Sequence, residues 1–139
     1  MLQVLSGTIE AGESLTSAID CTAGQLVAIT MPSDWTNEKN KNTCLTFQFS
    51  PDGETFSELC TMDGYAVTVP IVVPGSSVVV PADVGRATAF IKLRSGMMNA
   101  AVAQDEARTF SLSVMPIGSG EAGAMPGPFR AMIVPVEAV

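Results

Sequence analysis

The sequence predicts an all-β protein, an antiparallel β-sandwich of about seven to eight strands followed by an extended C-terminal arm. Apolar and polar residues alternate in short runs, and turn residues recur roughly every ten positions. Only Asp83 to Thr88 favours a short helical turn. Short strands separated by regular turns are typical of sandwiches and barrels.

The clearest element is a predicted hairpin over residues 43–59. Its first strand alternates Leu45, Phe47 and Phe49 with polar residues, which indicates one buried face. Pro51-Asp52-Gly53 then supplies turn chemistry, because proline presets φ, aspartate bonds nearby backbone and glycine accepts a positive φ. A second strand follows with Phe56 and Leu59.

Other strands are predicted along the rest of the body. Residues 25–31 form an apolar run expected to be a central strand buried on both faces. Residues 65–73 are interrupted by Pro70, which favours an edge or a bulge. Residues 78–80 and 89–94 are short strands, the latter with Lys92 and Arg94 on one face and ended by Ser95-Gly96. Residues 108–114 alternate as the last core strand.

Three segments follow from this pattern. Residues 1–14 are an N-terminal arm or edge strand, 15–114 the sandwich and 115–139 a Pro/Gly-rich arm. Disordered tails are poor in large apolar residues, so this arm is expected to pack on something, either its own sandwich or a neighbouring subunit by strand addition. Extended, it reaches roughly 80 Å at about 3.3 Å per residue. Its candidate interface residues are Met115, Ile117, Met125, Phe129, Met132, Ile133, Val134 and Val136.

Composition excludes some partners. The chain of 139 residues is 47% apolar and only 15% charged, which favours a surface covered partly by a partner. Its net charge of −7 repels phosphate backbones, so we expect no nucleic-acid binding. No apolar run approaches the roughly 20 residues that span a bilayer, so we expect no membrane partner. The N-terminal residues lack the basic and apolar regions of a signal peptide.

The residues offer little catalytic chemistry. There is no histidine, no phosphate-binding loop and no zinc-ligand spacing, so we predict neither enzymatic activity nor a cofactor or metal. The three cysteines, Cys21, Cys44 and Cys60, are expected to be buried free thiols, although one pair could be bridged. The acids Asp52 and Glu54 are expected to serve the turn and solvent.

Two aromatic residues, Trp35 and Tyr65, are the candidate ligand-facing residues of an alternative function. They could form a platform on which a sugar stacks. However, Trp35 follows Met-Pro-Ser-Asp at the end of a predicted buried strand. A role in the core or at a corner of the sandwich is therefore favoured for this residue.

Four phrases of the chain resemble small structural proteins of tailed bacteriophages and prophages. They are Ile9-Glu10-Ala11-Gly12-Glu13-Ser14-Leu15, residues 25–32 with Trp35, Leu45-Thr46-Phe47-Gln48-Phe49-Ser50-Pro51-Asp52-Gly53, and Ile91-Lys92-Leu93-Arg94-Ser95-Gly96. The Ser-x-Asp-Gly phrase followed by an aromatic residue is also similar to discoidin-type, galactose-binding sandwiches. The resemblance therefore implies a jelly-roll or galactose-binding-like sandwich.

In the phage setting the resemblance implies a non-enzymatic decoration, or cement, protein on the outer surface of the capsid. Its partners would be the major capsid protein and further copies of itself, with a trimer favoured and a dimer as the alternative. Such a protein folds in the host bacterial cytoplasm and ends on the virion. Two other functions stay open: a carbohydrate-binding sandwich on a virion surface, and a tail or neck component with the same fold.

Overall fold

The computed structural model describes residues 2–36 and 40–116, and in these residues the fold is the predicted all-β sandwich. One short helix lies among the strands. In chain order the elements are β1 (Gln3–Ile9), β2 (Ile19–Asp20), β3 (Gly24–Thr30), β4 (Leu45–Ser50), β5 (Ser57–Glu58), β6 (Thr68–Val69), β7 (Ser77–Val79), α1 (Ala82–Ala87), β8 (Phe90–Met97), β9 (Ala100–Ala101) and β10 (Arg108–Pro116).

The strands form two antiparallel sheets. Sheet A has the order β1-β10-β3-β7, so the N-terminal segment is its edge strand and β10 lies inside it. Sheet B has the order β2-β8-β4-β5; β6 also pairs with β4, and β9 with β8. The first and last described strands thus meet in one sheet, because β1 and β10 pair over seven consecutive positions from Gln3–Val114 to Ile9–Arg108.

The predicted hairpin is confirmed. Strand β4 pairs with β5 at Gln48–Glu58 and Phe49–Ser57. Ser50 accepts from the amide of Gly53 through its side-chain oxygen at 2.8 Å, and Gly53 takes the positive φ of 82° that the turn requires.

The core lies between the sheets and is built from the inward positions of each strand. From sheet A the fully buried residues include Ile9, Leu26, Ile29, Phe110 and Leu112, and from sheet B they include Leu45, Ile91 and Leu93. Trp35 joins this cluster with its ring edge-on to Phe110, the ring centroids 5.7 Å apart at 66°. Its predicted core role is therefore confirmed.

Strand β3 differs from the prediction in one respect. It is an interior strand, but it is buried on one face only: Leu26 and Ile29 are buried, whereas Val27 and Ala28 are half-buried. The second face is half-buried because it lies on the outer side of sheet A, which no further sheet covers in the described residues. A register shift leaves Val27 as an extra residue on this side, since Val114 pairs with Leu26 and Ser113 with Ala28. Both half-buried residues belong to the outer side of sheet A.

Strand β8 is longer than predicted, because Ser95-Gly96 does not end it. Gly96 has a φ of 93° and pairs with Ala101, so the strand bends there and enters a second hairpin with β9. Its amide donates to the carbonyl of Cys44 at 2.8 Å. A side chain at position 96 would be strained for two reasons. The residue would have to adopt a positive φ, and its Cβ would lie 2.4 Å from the Ala100 carbonyl oxygen.

We expect Gly96→Ala to lower the free energy of unfolding by about 3 kcal/mol, from left-handed strain plus the steric overlap. Gly12→Ala is the matched control: Gly12 also has a positive φ, of 85°, but nothing lies within 4 Å of its added Cβ. This control should lose only about 1 kcal/mol. Urea unfolding of both variants measures the difference, and equal losses would show that the contact with Ala100 is relieved without cost.

Candidate interaction surface

A nearly buried ion pair links three strands of sheet B. Arg94, on the outer side of sheet B, donates from Nη1 to Glu58 Oε1 at 2.7 Å and from Nη2 to the second carboxylate oxygen. Its Nη1 also lies 3.1 Å from the Thr46 hydroxyl. Gln48 donates to the same carboxylate at 3.2 Å. A forked, nearly buried ion pair of this kind fixes β8, β4 and β5 in one register.

A second cluster surrounds Arg108 at one end of the sandwich. Arg108 donates to the backbone carbonyl of Asp34 at 2.6 Å, to Asp105 Oδ1 at 2.6 Å and to Gln104 Oε1 at 3.2 Å. Gln104 and Asn40 exchange amide hydrogen bonds at 2.8 and 3.0 Å. These buried groups therefore satisfy one another, as polar groups in a core must.

The acids of the turns also have structural roles. Hydrogen bonds from the Glu54 amide and the Ser50 hydroxyl lower the pKa of the Asp52 carboxyl, and those from Thr22 lower the pKa of Asp20. Asp52 thus serves its turn, as predicted. In residues 2–36 and 40–116, no three His, Cys, Asp or Glu side chains are grouped so that they could hold a metal ion.

The cysteines are free, but they are not all buried as predicted. Cys21 is buried, Cys44 is half-buried and Cys60 is exposed. The prediction is wrong for Cys60 because it lies between the short edge strand β5 and a surface turn, where nothing covers its side chain. Burial, and secondarily the charge of Asp20, raise the pKa of the Cys21 thiol to about 11, which makes it a poor nucleophile.

The outer face of sheet A is a continuous surface without charged side chains on its described strands. Alternation along the strands and their registers place two rows of side chains across all four strands. One row is Val4, Ser113, Ala28 and Val79, and the other is Ser6, Ser111, Thr30 and Ser77. Beyond them, Thr8 pairs with Thr109 and Met115 with Gln25. We call these twelve positions, with Val27, the sheet A face.

The sheet A face carries no charged side chain on the strands that the structure describes. Several of its hydroxyls bond one another: Thr8 and Thr109 are 2.9 Å apart, and Thr30 and Ser77 are 2.8 Å apart. Its apolar members protrude, with Val79 83% and Val4 65% exposed. The face is therefore inexpensive to dehydrate, since it holds no ion that would lose its hydration shell.

Of the predicted interface residues, Met115 is brought to this face. It is the penultimate residue of β10 and is 47% exposed. The other seven, from Ile117 to Val136, lie outside the described residues. Sequence reasoning missed the remaining members of the face, because they come from four distant segments; only the run Thr109, Ser111 and Ser113 indicated a polar, uncharged outer side.

Trp35 and Tyr65 do not form the predicted sugar-stacking platform. Trp35 is only 3% exposed and Tyr65 is 73% exposed. A cleft of about 530 Å³ lies beside Trp35 and is lined by Asn42, Ile71 and Val73 among others, but Tyr65 is not part of its wall. Stacking of a sugar requires an open aromatic face, so the burial of Trp35 counts against this role.

Comparison with protein-family models, curated proteins and solved structures finds no match to this chain. In the part of the chain that the structure describes, none of the helices has the length and hydropathy required to cross a bilayer.

Modification of the cysteines tests the buried environment of Cys21. At pH 8 we expect a thiol reagent to modify exposed Cys60 rapidly and Cys21 at least about 100-fold more slowly, because a pKa raised from 9.0 to about 11 reduces the thiolate by that factor. Mass spectrometry of quenched samples identifies each modified residue. Denatured protein is the control, in which Cys21 should react readily. Rapid modification of native Cys21 would contradict its buried environment.

Proposed function

We propose that the protein is a non-enzymatic structural protein of a phage head, which binds the outer surface of the major capsid lattice through the sheet A face. The observation that carries the proposal is this uncharged face on a chain whose net charge is −7. Catalysis finds no support in the described residues, since their buried charges are committed to Arg94–Glu58 and to the Arg108 cluster.

The chemistry of the face suits contact with another protein. The centres of protein interfaces are depleted in charged residues. Where two hydroxyls bond one another, as Thr8 and Thr109 do, one of the two donors is already paired, so only one donor of the pair needs a partner in an interface. Protruding Val79 and Val4 add apolar area at two sides of the face. A nucleic acid or an anionic surface would instead require cations, which the face lacks.

The size of the face favours a partner that offers many identical sites. Three strands of seven to nine residues and the three-residue β7, spaced about 4.8 Å apart, give a plan area of roughly 400 Å². A stable pairwise interface buries about 800 Å² per partner. One copy should therefore bind weakly, and firm attachment needs a repeating lattice on which linked copies bind together. A capsid surface provides such a lattice.

The resemblance to phage structural proteins supplies the biological setting, and mass action supplies the mechanism. A protein that binds the expanded shell but not its disassembled subunits stabilises the shell by its binding free energy. The binding free energies of many weakly bound copies then add up over the particle. A tail or neck location is the competing assignment within the same class, and imaging of labelled protein on intact virions separates the two.

We expect heads that lack this protein to open at a lower temperature, or at a lower chelator concentration, than complete heads. Adding purified protein back should restore the resistance, because occupied sites are lost on opening. Release of packaged DNA, followed by dye fluorescence during heating, measures the effect. Equal resistance with and without the protein would contradict a stabilising role.

Val79→Lys should weaken binding to heads at least about tenfold, because it places an ammonium group in a contact that excludes water. Met62→Lys is the matched control, since it makes the same change at a fully exposed turn residue outside the sheet A face. Cosedimentation of each variant with heads measures the bound fraction, and unfolding curves verify that both are folded. Equal loss of binding for both variants, or no loss for either, would place the contact with the head outside the sheet A face.

A further inference from the structure

Among the described residues, sheet A has one long edge with no neighbouring strand. Strand β1 pairs there with β10 on one side, over seven residues from Gln3 to Ile9. The other edge strands in residues 2–36 and 40–116 are short: β7 has three residues, and β2, β5, β6 and β9 have two each. Proteins usually protect a long edge with charge, proline or a bulge. None of these occurs within β1, whose sequence is Gln-Val-Leu-Ser-Gly-Thr-Ile.

A groove of about 540 Å³ runs beside this edge. One wall is β1 itself at Ser6, Gly7 and Thr8, and the opposite wall is the segment from Leu15 to Ile19. Its lining also holds two carboxylates, Glu10 and Glu13, and one cation, Lys92, whose ammonium lies over the Phe56 ring at 4.5 Å from the centroid. The groove therefore offers the free edge of β1 on one side, side-chain contacts on the other and an excess of negative charge. An extended peptide can use all three by adding a strand to the sheet.

The chain itself contains a segment with matching properties. Residues 129–134, Phe-Arg-Ala-Met-Ile-Val, form a run of strand length bounded by Pro128 and Pro135. Prolines at both ends confine pairing to this run, because proline cannot donate to a ladder. Arg130 is the run's single charged residue and complements Glu10 and Glu13. The length of six residues suits the seven of β1.

The geometry of the exit favours a donor from another copy. The chain leaves β10 at Pro116, beside the N-terminal end of β1, because Gln3 pairs with Val114. A direct return onto its own β1 would run parallel to that strand, whereas an arm from another copy can pair antiparallel, and parallel pairing is slightly less stable per residue. The intervening residues 117–128 contain four glycines and two prolines. Their reach of roughly 40 Å at about 3.3 Å per residue is enough to meet a neighbouring sandwich.

We propose that residues 129–134 of one copy add as a strand to the free edge of β1 in a second copy, with Arg130 near Glu10 and Glu13. The contact joins two different surfaces. Reciprocal exchange of arms therefore gives a dimer, and successive donation closes a ring such as a trimer. It forms between free molecules, so it stands or falls independently of capsid binding through the sheet A face.

The first experiment compares the full-length chain with Ile133→Asp by light scattering over a range of concentrations. The aspartate places a charge in the added strand, so the wild type should be oligomeric and Ile133→Asp should dissociate with at least a tenfold higher midpoint concentration. Ala122→Asp is the matched control, with the same change of charge in the arm but outside residues 129–134, and it should behave as the wild type. A monomeric wild type, or equal effects of both substitutions, would overturn the proposal.

Amide hydrogen exchange, resolved by residue with NMR, identifies the acceptor edge. In an antiparallel pair alternate residues of β1 bond to β10, and the amides between them face the free edge. Both sets should be protected in the wild type. In Ile133→Asp only the edge-facing set should exchange at least tenfold faster. Unchanged exchange of β1 would place the contact elsewhere, and a protected edge in a monomeric protein would show that each arm folds onto its own sandwich.

Discussion

The pairing of β10 between β1 and β3 is the constraint on which the rest of the structure depends. Its inward residues, Phe110, Leu112 and Val114, fill the centre of the core, and its outward residues form the middle of the sheet A face. Arg108 begins the strand and gathers the polar cluster at one end of the sandwich. The positions of the core, the polar cluster and the sheet A face therefore all depend on the register of β10. A slip of this strand by one residue would move its inward side chains to the outer side of the sheet.

The buried charges are likewise confined to two places in the fold. Arg94 and Arg108 are nearly buried, and removal of Glu58, the partner of Arg94, would leave an uncompensated ion, which typically destabilises a protein by about 3 to 5 kcal/mol. The carboxylate partners of Arg108, Asp34 and Asp105, are more than half exposed, so each contributes less. The buried ions lie on the outer side of sheet B and at one end of the sandwich, and the sheet A face presents hydroxyls, aliphatic groups, the amide of Gln25 and the thioether of Met115.

The sequence predicted those features that depend on neighbours along the chain. A strand over Leu45–Ser50, the Pro-Asp-Gly turn and the helical turn near Asp83 all follow from local rules, but burial does not alternate along this strand as predicted, because Thr46 is buried and Phe49 is half-buried. The sequence could not predict that one side of β3 is half-buried, because that depends on which sheet covers it. Nor could it predict that Arg94, one of two bases on an alternating strand, would be buried, because Glu58 reaches it only through the pairing of β5 with β4. The sheet A face was equally inaccessible, since its rows join residues as distant as Val4 and Ser113.

The two proposed surfaces impose a condition on each other. A strand added to β1 extends sheet A in its own plane, so the side chains of alternate residues join the sheet A face. In the proposed pairing only one orientation would keep that face uncharged: Phe129, Ala131 and Ile133 would point outward, and Arg130 would then point inward toward the groove that Glu10 and Glu13 line. The orientation that satisfies the charge of the arm is thus the one that enlarges the apolar contact surface. Self-association and lattice binding then reinforce each other, because each linked copy raises the effective concentration of the next at its site.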